Sequence, residues 1–459
     1  MNNPTSTIAA ISTPSGKGGV ALIRTSGQDA LQIVSSCFIP RSKKPLSDYP
    51  SRTAIYGDVI LEGEKIDDAI AVIFRAPASY TGEDTVEITC HGGALITKTV
   101  LEAILACGAV PATAGEFTRR AFMSGKLSLT DAESIATLLE AKTHSQILLN
   151  SSNAREKLNG EISKLHDELI LLLSTLYAKI DFPEEDLADL TSDEVLSKLN
   201  EIYARVEKLS ATYKTGHAIN EGIPTVICGK PNVGKSTLYN LLCRGDFAIV
   251  TEYAGTTRDP LEKTVSLGRV TLNLADTAGI RNTDSPIEKI GISLSRKKID
   301  ESELVFLVFD GSLPFDNEDF ELIEYLSSID TPTVAIVNKT DLGQEVDISL
   351  LKEKFSYVIM MSAKNGGSDE LCDIVNKLFT DDKISLGNDA VVSGARQYAS
   401  LVRTKSFLSS SISALKEGLP SDIVSSDIEL AVSAISELDG RAVSEDIVSG
   451  IFSHFCVGK

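Results

Sequence analysis

The sequence predicts a multidomain α/β protein: an N-terminal α+β module, a helical bundle contributed by two separate chain segments, and an α/β domain inserted between them. Three observations predict it. At 459 residues the chain is too long for one core, and length alone suggests about three domains. Short β-rich runs dominate residues 1–122, whereas helical spacing dominates 123–215 and returns over 382–459. Between the helical stretches, residues 216–381 hold apolar strands followed by loops, the first reading Gly229-Lys-Pro-Asn-Val-Gly-Lys-Ser236.

In the first module, Thr7–Ile11, Val20–Arg24, Thr53–Ile60, Ala69–Phe74 and Thr85–Cys90 read as strands. Gln28–Cys37 and Leu95–Cys107 read as helices. Glycine-rich loops at Pro14–Gly19 and His91–Gly93 join them. Lys17 lies in the first loop, but G-x-x-x-x-G-K spacing is absent there. From Leu127 the pattern turns helical, and Thr130-Asp-Ala-Glu133 has capping-box spacing ahead of an apolar run. Ile162–Ile180 and Ser192–Tyr213 follow as amphipathic helices, interrupted at Asp181–Asp186. Helices return at Ala395–Lys416, Ser421–Leu438 and Ser444–Phe455. Neither helical half covers its apolar faces alone, so the two are expected to pack as one bundle around an insertion whose ends lie close together.

The inserted domain carries the chemistry. The loop at 229–236 follows the β-rich run Ile223–Cys228 and precedes a helical segment, the context in which backbone N–H groups wrap phosphate oxygens. Asn232, Val233, Gly234, Lys235, Ser236 and Thr237 are its nucleotide-binding candidates: Lys235 for the β- and γ-phosphates, Ser236 for Mg²⁺. Asp276-Thr277-Ala278-Gly279 follows another strand, with Asp276 suited to Mg²⁺ through water and Gly279 to the γ-phosphate. Asn338-Lys339-Thr-Asp341 ends a third strand. A carboxylate at Asp341 accepts from N1–H and the N2 amino group of guanine, a donor pair adenine lacks. Ser362-Ala363-Lys364 completes the base pocket. Four elements in this order on strand ends define a GTPase domain.

Two details refine it. Ile280 stands where Ras-type enzymes place the glutamine that orients the attacking water. Glu288 and Arg281 are the local candidates for that task. In the first switch, Thr257 is expected to complete the Mg²⁺ shell, and Thr251 and Thr256 to line the nucleotide. Asn232 offers an amide oxygen to a monovalent cation that could neutralise transition-state charge, or is simply a turn residue after Pro231.

Composition bounds the rest. The net charge of −20 argues against holding nucleic acid mainly by phosphate neutralisation, so a basic partner is expected to supply much of any RNA grip. No stretch approaches the ~20 apolar residues of a membrane span, and no secretion signal is expected at the N-terminus. Seven scattered cysteines without a C-x-x-C pair suit free thiols in a reducing cytoplasm. Cys456 reads either as a reactive thiol beside a lysine-bearing terminus or as a small buried hydrophobe beside Phe455.

Over its whole length the chain resembles the MnmE (TrmE) family of tRNA-modification GTPases. Thr7–Val20 and Tyr80-Thr-Gly-Glu-Asp-Thr-Val-Glu-Ile-Thr-Cys-His-Gly-Gly93 look like that family's folate-binding module. Gly115–Phe122 and Lys126–Glu133 look like its entry into the helical domain, and Phe455-Cys-Val-Gly-Lys459 like its terminal signature. The resemblance implies an N-terminal tetrahydrofolate-binding and dimerisation domain (1–122), a helical domain in two parts (123–215 and 382–459) and a Ras-like G domain (216–381). It implies a cytoplasmic homodimer whose G domains pair when K⁺ is bound by Asn232 and by backbone oxygens of Thr251, Tyr253 and Thr256. Glu288 matches the glutamate that organises the hydrolytic water, which displaces Arg281. Arg24, Glu87, Lys126 and Lys459 match the contacts to a tetrahydrofolate one-carbon donor, and Cys456 becomes a candidate catalytic residue. With an FAD-containing MnmG (GidA)-type partner, the family adds an aminomethyl-type substituent at carbon 5 of the wobble uridine of certain tRNAs.

Two rivals share parts of this pattern. A ribosome-assembly or checkpoint GTPase gives no account of the folate-like module or of Cys456. A folate-dependent one-carbon enzyme with merely regulatory GTP would transfer one-carbon units without GTP or partner. A Rossmann dehydrogenase is excluded, because no G-x-G-x-x-G opens a βαβ unit.

Overall fold

The computed structural model describes residues 6–181, 191–244, 262–275, 298–453 and 455–458. It divides into two compact units, Met1–Ala136 with Ser433–Lys459, and Thr137–Val432.

The first unit contains β1 (Ile8–Ile11), β2 (Val20–Ser26), α1 (Ala30–Cys37), β3 (Phe38–Pro40), β4 (Ala54–Leu61), β5 (Glu64–Phe74), β6 (Thr85–His91), α2 (Ala94–Ala106), β7 (Val110–Pro111), α3 (Glu116–Met123) and the start of α4 (Leu129–Glu140). The strands form one sheet in the order β3-β4-β5-β6-β2-β1-β7. Side-chain alternation sets its two faces. Ala69, Ala71 and Ile73 of β5 are buried, whereas Ile70 is exposed. The buried face packs Ile23, Val59, Ala71 and Ile88 against Val34 of α1 and Val100 and Ile104 of α2. Arg24 and Glu87 sit on the other face, directly paired across β2 and β6. The two glycine loops close on each other: Gly18 N–H donates to Gly92 O at 2.8 Å. A Cβ on Gly92 would lie 2.6 Å from Gly18 O, so no side chain fits there.

The expected capping box at Thr130 and Glu133 lies two residues earlier. Ser128 and Asp131 exchange side-chain bonds with each other's N–H groups at 3.0 Å, while the buried Thr130 Oγ1 donates to Leu438 O at 2.8 Å. Burial decided the register: Thr130 is 1% exposed and therefore turned inward. The terminal helix Glu445–Ser453 packs Val448 and Phe452 on Leu129 and Ala132. Phe455, expected within that helix, follows it instead, and the chain then runs as an isolated bridge between Val457 and Ala114.

The second unit begins with α5 (His144–Leu149), α6 (Ser152–Asp181), α7 (Ser192–Ala211) and α8 (Tyr213–Asn220). Thr191 and Glu194 form the capping box of α7. Its sheet comprises β8 (Ile223–Cys228), β9 (Glu262–Leu267), β10 (Val270–Ala275), β11 (Leu304–Asp310), β12 (Thr333–Asn338) and β13 (Tyr357–Met360), in the order β13-β12-β11-β8-β10-β9. All neighbours are parallel except β9 and β10. The helices are α9 (Lys235–Arg244), α10 (Asn317–Ser327), α11 (Ile348–Lys354) and α12 (Asp369–Phe379), followed by α13 (Ala395–Lys416) and the start of α14 (Ser421–Asp439). Strands buried on both faces read as continuous apolar runs, and Leu304–Phe309 is fully buried.

The helix expected over Ser192–Tyr213 ends at Thr212, where α8 takes over. Two threonines explain the break. Thr212 Oγ1 accepts from Val392 N–H and Thr215 Oγ1 from Asp381 N–H, each at 3.0 Å. Asn220 Nδ2 adds a bond to Ser393 Oγ at 2.8 Å, and a Cβ on Gly216 would lie 2.1 Å from Val392 O. The chain entering the β8–β13 region and the chain leaving it are thus tied side by side, while α13 packs along α7. Among the described residues no helix is long and apolar enough to cross a membrane.

Candidate functional site: a nucleotide cradle and a polar sheet face

The carboxyl ends of β8, β11, β12 and β13 bring their loops together, the position where open parallel sheets bind ligands. The loop between β8 and α9 is held by backbone constraints. Gly229 has φ +138° and a Cβ there would meet Val308 O at 2.3 Å; Gly234 has φ +101°. Asn232 is left-handed too, at φ +65°, a conformation asparagine tolerates better than most residues. Lys235 Nζ donates to the carbonyls of Gly229 and Lys230 at 2.7 and 2.5 Å, which holds its charge over the loop. Ser236 and Thr237 lie in the first turn of α9, the end of a helix whose dipole favours an anion.

Asn338 joins three loops. It is 3% exposed; its Nδ2 donates to Val233 O and its Oδ1 accepts from Ala363 N–H, both at 2.9 Å. A Cβ on Gly234 would lie 2.1 Å from Asn338 Nδ2, so the phosphate loop and base loop touch without a spare atom. Asp341 accepts from Ser362 Oγ at 2.6 Å, and that bond, with Lys364 and Lys339 nearby, holds its carboxyl below the usual range. It stays ionised and acceptor-only, as guanine's donor pair requires. Asn232, Val233, Gly234, Lys235, Ser236, Thr237, Asn338, Lys339, Asp341, Ser362, Ala363 and Lys364 therefore belong to one cluster of loops. Thr251, Tyr253, Thr256, Thr257, Asp276, Thr277, Ala278, Gly279 and Glu288 lie outside the described residues.

Sequence reading assigned no role to four further residues of this cluster, Lys230, Asp310, Asp316 and Asp319. Asp310, ending β11, accepts from Lys339 Nζ at 2.6 Å and from Ser312 Oγ at 2.6 Å. Burial pushes the Asp310 carboxyl up, but those bonds outweigh it and hold it below its ordinary value. Lys230 ion-pairs with Asp316 and Asp319 of the α10 cap at 2.5 and 2.7 Å. The only available signal was Asp316-x-x-Asp319, which has capping-box character but nothing to name its distant lysine.

The polar sheet face is built differently. Arg24 NH2 pairs with Glu87 Oε1 at 2.8 Å, and its guanidinium lies 5.3 Å from the Tyr80 ring and 5.6 Å from that of Phe117. Both pair members are mostly shielded, at 17% and 21% exposure. Lys126 Nζ donates to Pro77 O at 2.8 Å, away from that pair's bonds. Behind it, Ser26, Thr81, Glu83, Arg120 and Glu116 form a continuous polar network, with Arg120 bonded to Glu83 and Glu116 at 3.2 and 2.9 Å. Cys456 is exposed, which removes the buried-hydrophobe reading. Its carbonyl accepts from Gly115 N–H at 3.4 Å, and Ser12 Oγ donates to Gly458 O at 3.0 Å. Gly458 has φ +97° and no room for a Cβ, which would sit 2.3 Å from Ile11 O. Lys459 lies outside the described residues.

A glycine-built phosphate loop and an acidic base loop on a mostly parallel sheet define a P-loop protein shaped for a guanine nucleotide. Comparison with known proteins is specific: the MnmE helical domain model matches residues 129–456, and the model for the N-terminus of GTP-binding protein TrmE matches residues 7–126. The chain is 38% identical over 462 residues to the tRNA modification GTPase MnmE of Thermoanaerobacter pseudethanolicus, covering 99% of each. It is 38% identical over 457 residues to that of Lactobacillus delbrueckii subsp. bulgaricus, covering 99% of this chain and 98% of that one. Among solved structures, the FeoB G domain of Methanococcus jannaschii aligns at 20% identity over 34% of this chain and 94% of its own, with a TM-score of 0.25. The chain belongs to the MnmE (TrmE) family.

Proposed function

We propose that this protein is a GTP-hydrolysing tRNA-modification enzyme. The observation that carries it is end-to-end similarity, 38% over 99% of the chain, to proteins named tRNA modification GTPase MnmE. The three-loop bridge at Asn338 supports the nucleotide part independently. On this reading the protein is a cytoplasmic homodimer with an N-terminal folate-binding and dimerisation domain (1–122), a helical domain in two parts (123–215 and 382–459) and an inserted G domain (216–381). With an MnmG (GidA)-type flavoprotein it installs an aminomethyl-type group at carbon 5 of wobble uridine.

Ser236, opening α9 beside Lys235, has the hard oxygen that Mg²⁺ takes; Ser236 and Thr257 would hold the ion, which would neutralise phosphate charge. Asn232, turned left-handed inside the loop, fits an amide ligand for K⁺ together with Thr251, Tyr253 and Thr256. Glu288 orients the hydrolytic water. The Arg24–Glu87 pair, its guanidinium beside two aromatic rings, fits a heterocycle with N–H donors, so Arg24, Glu87, Lys126 and Lys459 would hold the tetrahydrofolate derivative, source of a one-carbon unit. On this reading Cys456, exposed on the terminal segment, would serve as a reactive thiol.

The test is nucleoside mass spectrometry on total tRNA from cells lacking the protein. Loss of the carbon-5 substituents, restored by the intact gene and not by Asp341→Ala, is the expected result. An unchanged profile would sink the modification reading. Glu288→Ala is expected to bind GTP normally and to turn it over hardly at all.

A further inference from the structure

We infer that the segment Asp310–Asp319, which belongs to none of the nucleotide motifs read from the sequence, is a brace that positions both halves of the nucleotide site. The inference rests on the guanine-nucleotide reading above. One end of the segment holds the base loop and the other the phosphate loop, each through a lysine: Asp310 to Lys339 Nζ at 2.6 Å, and Asp316 and Asp319 to Lys230 Nζ at 2.5 and 2.7 Å.

The chemistry of the two lysines supports this. Lys230 sits next to Gly229 in the phosphate loop, yet its ammonium faces two carboxylates and is 19% exposed, so it serves as a tether. On the guanine-nucleotide reading the phosphate-directed cation is Lys235, whose Nζ lies over the loop on the Gly229 carbonyl. Asp319 is 6% exposed and cannot be released to water without moving α10, whose cap it also closes through Asp316 N–H at 3.2 Å. A cavity of about 320 Å³ lies between the loop and the cap, lined by Asn232, Val233, Phe309 and Phe315 among others. Beside that cavity, loop and helix are joined directly by the two ion pairs. At the other end Lys339 is left-handed, φ +62°, and its side chain is fixed by Asp310, which Ser312 in turn orients. Charge-assisted bonds of this kind are about twice as strong as neutral ones, and removing one partner strands the other charge.

The geometry separates two effects. Breaking the Lys230 tie loosens the phosphate side; breaking the Asp310 tie loosens the base side. The test titrates fluorescent GDP and fluorescent IDP, which lacks the N2 amino group, against the full-length wild type and the variants Lys230→Met, Lys230→Arg and Asp310→Asn. Lys230→Met is expected to weaken both nucleotides about tenfold with their ratio unchanged, and Lys230→Arg to restore most of the loss. Asp310→Asn is expected to weaken GDP about tenfold and to narrow its preference over IDP. Lys230→Met leaves the α10 capping box intact, so its melting temperature reports whether the fold survives. Variants that bind both nucleotides within about twofold of wild type overturn the brace. So do losses that are equal in GDP and IDP for both sites and track a fall in melting temperature. A wild type that binds neither nucleotide sinks the underlying guanine-nucleotide reading itself.

Discussion

The nucleotide cradle and the polar sheet face solve the problem of fixing charged groups by opposite means. The cradle is made of loops, and its rigidity comes from exclusion: Gly229 and Gly234 have no room for a methyl group, and Asn338 is buried where three loops meet. The sheet face is made of ladder positions, and Arg24 meets Glu87 because β2 and β6 are paired in register. A loop site fails when one bridging bond is lost. A ladder site keeps its backbone and loses only the group that was changed.

Asn338→Ala should break that contrast most severely. It leaves Val233 O and Ala363 N–H buried without this partner, costing about 2–5 kcal/mol and lowering GDP affinity by two orders of magnitude or more. Titration with fluorescent GDP measures it; affinity within threefold of wild type would refute the three-loop bridge. Next is Gly458→Ala, where a Cβ 2.3 Å from Ile11 O at φ +97° must displace the terminal segment, at about 1–3 kcal/mol. Carboxypeptidase digestion should then remove the terminus faster, with GDP binding untouched; an unchanged rate counts against tail docking. Arg24→Met strands Glu87 without disturbing the ladder. It should weaken 5-formyltetrahydrofolate binding at least tenfold by calorimetry while GDP affinity stays constant. A parallel loss of both would erase the proposed independence of the two sites.

The smallest effect is electrostatic. Asp310 is held below the ordinary 3.8 although burial opposes this, because Lys339 and Ser312 bond its charged form. A depressed carboxylate contributes stability above 3.8 and loses it as pH falls through the folded value. Melting curves from neutral pH to about pH 3 should therefore show a steeper acid-side decline for wild type than for Asp310→Asn, worth less than about 1 kcal/mol. Identical slopes would mean that the pair contributes nothing to folding.

Much of this was legible in the sequence. Five strands of the first sheet announce themselves by alternation, whereas β3 and β7 span three and two residues and carry no period to detect. The phosphate and base motifs are readable because each is a short run whose backbone must turn in one way, and glycine spacing records that requirement. The capping box was misread by two residues because Ser128, Thr130, Asp131 and Glu133 offer overlapping solutions, and only burial of Thr130 selects between them. The break at Thr212 escaped notice for a similar reason: its cause is Val392, 180 residues away in sequence.

By itself the sequence determined the class of site and the family and singled out Asp341 as the candidate for guanine preference, since all three reside in local runs of residues. Tertiary structure alone decided that Lys230 is a tether rather than a phosphate ligand, that Asp310 serves Lys339, and that Cys456 faces solvent. The physical reason is that a charge acquires its role from the group it meets. Lys230 meets Asp319 only after β8 and β11 have been laid side by side.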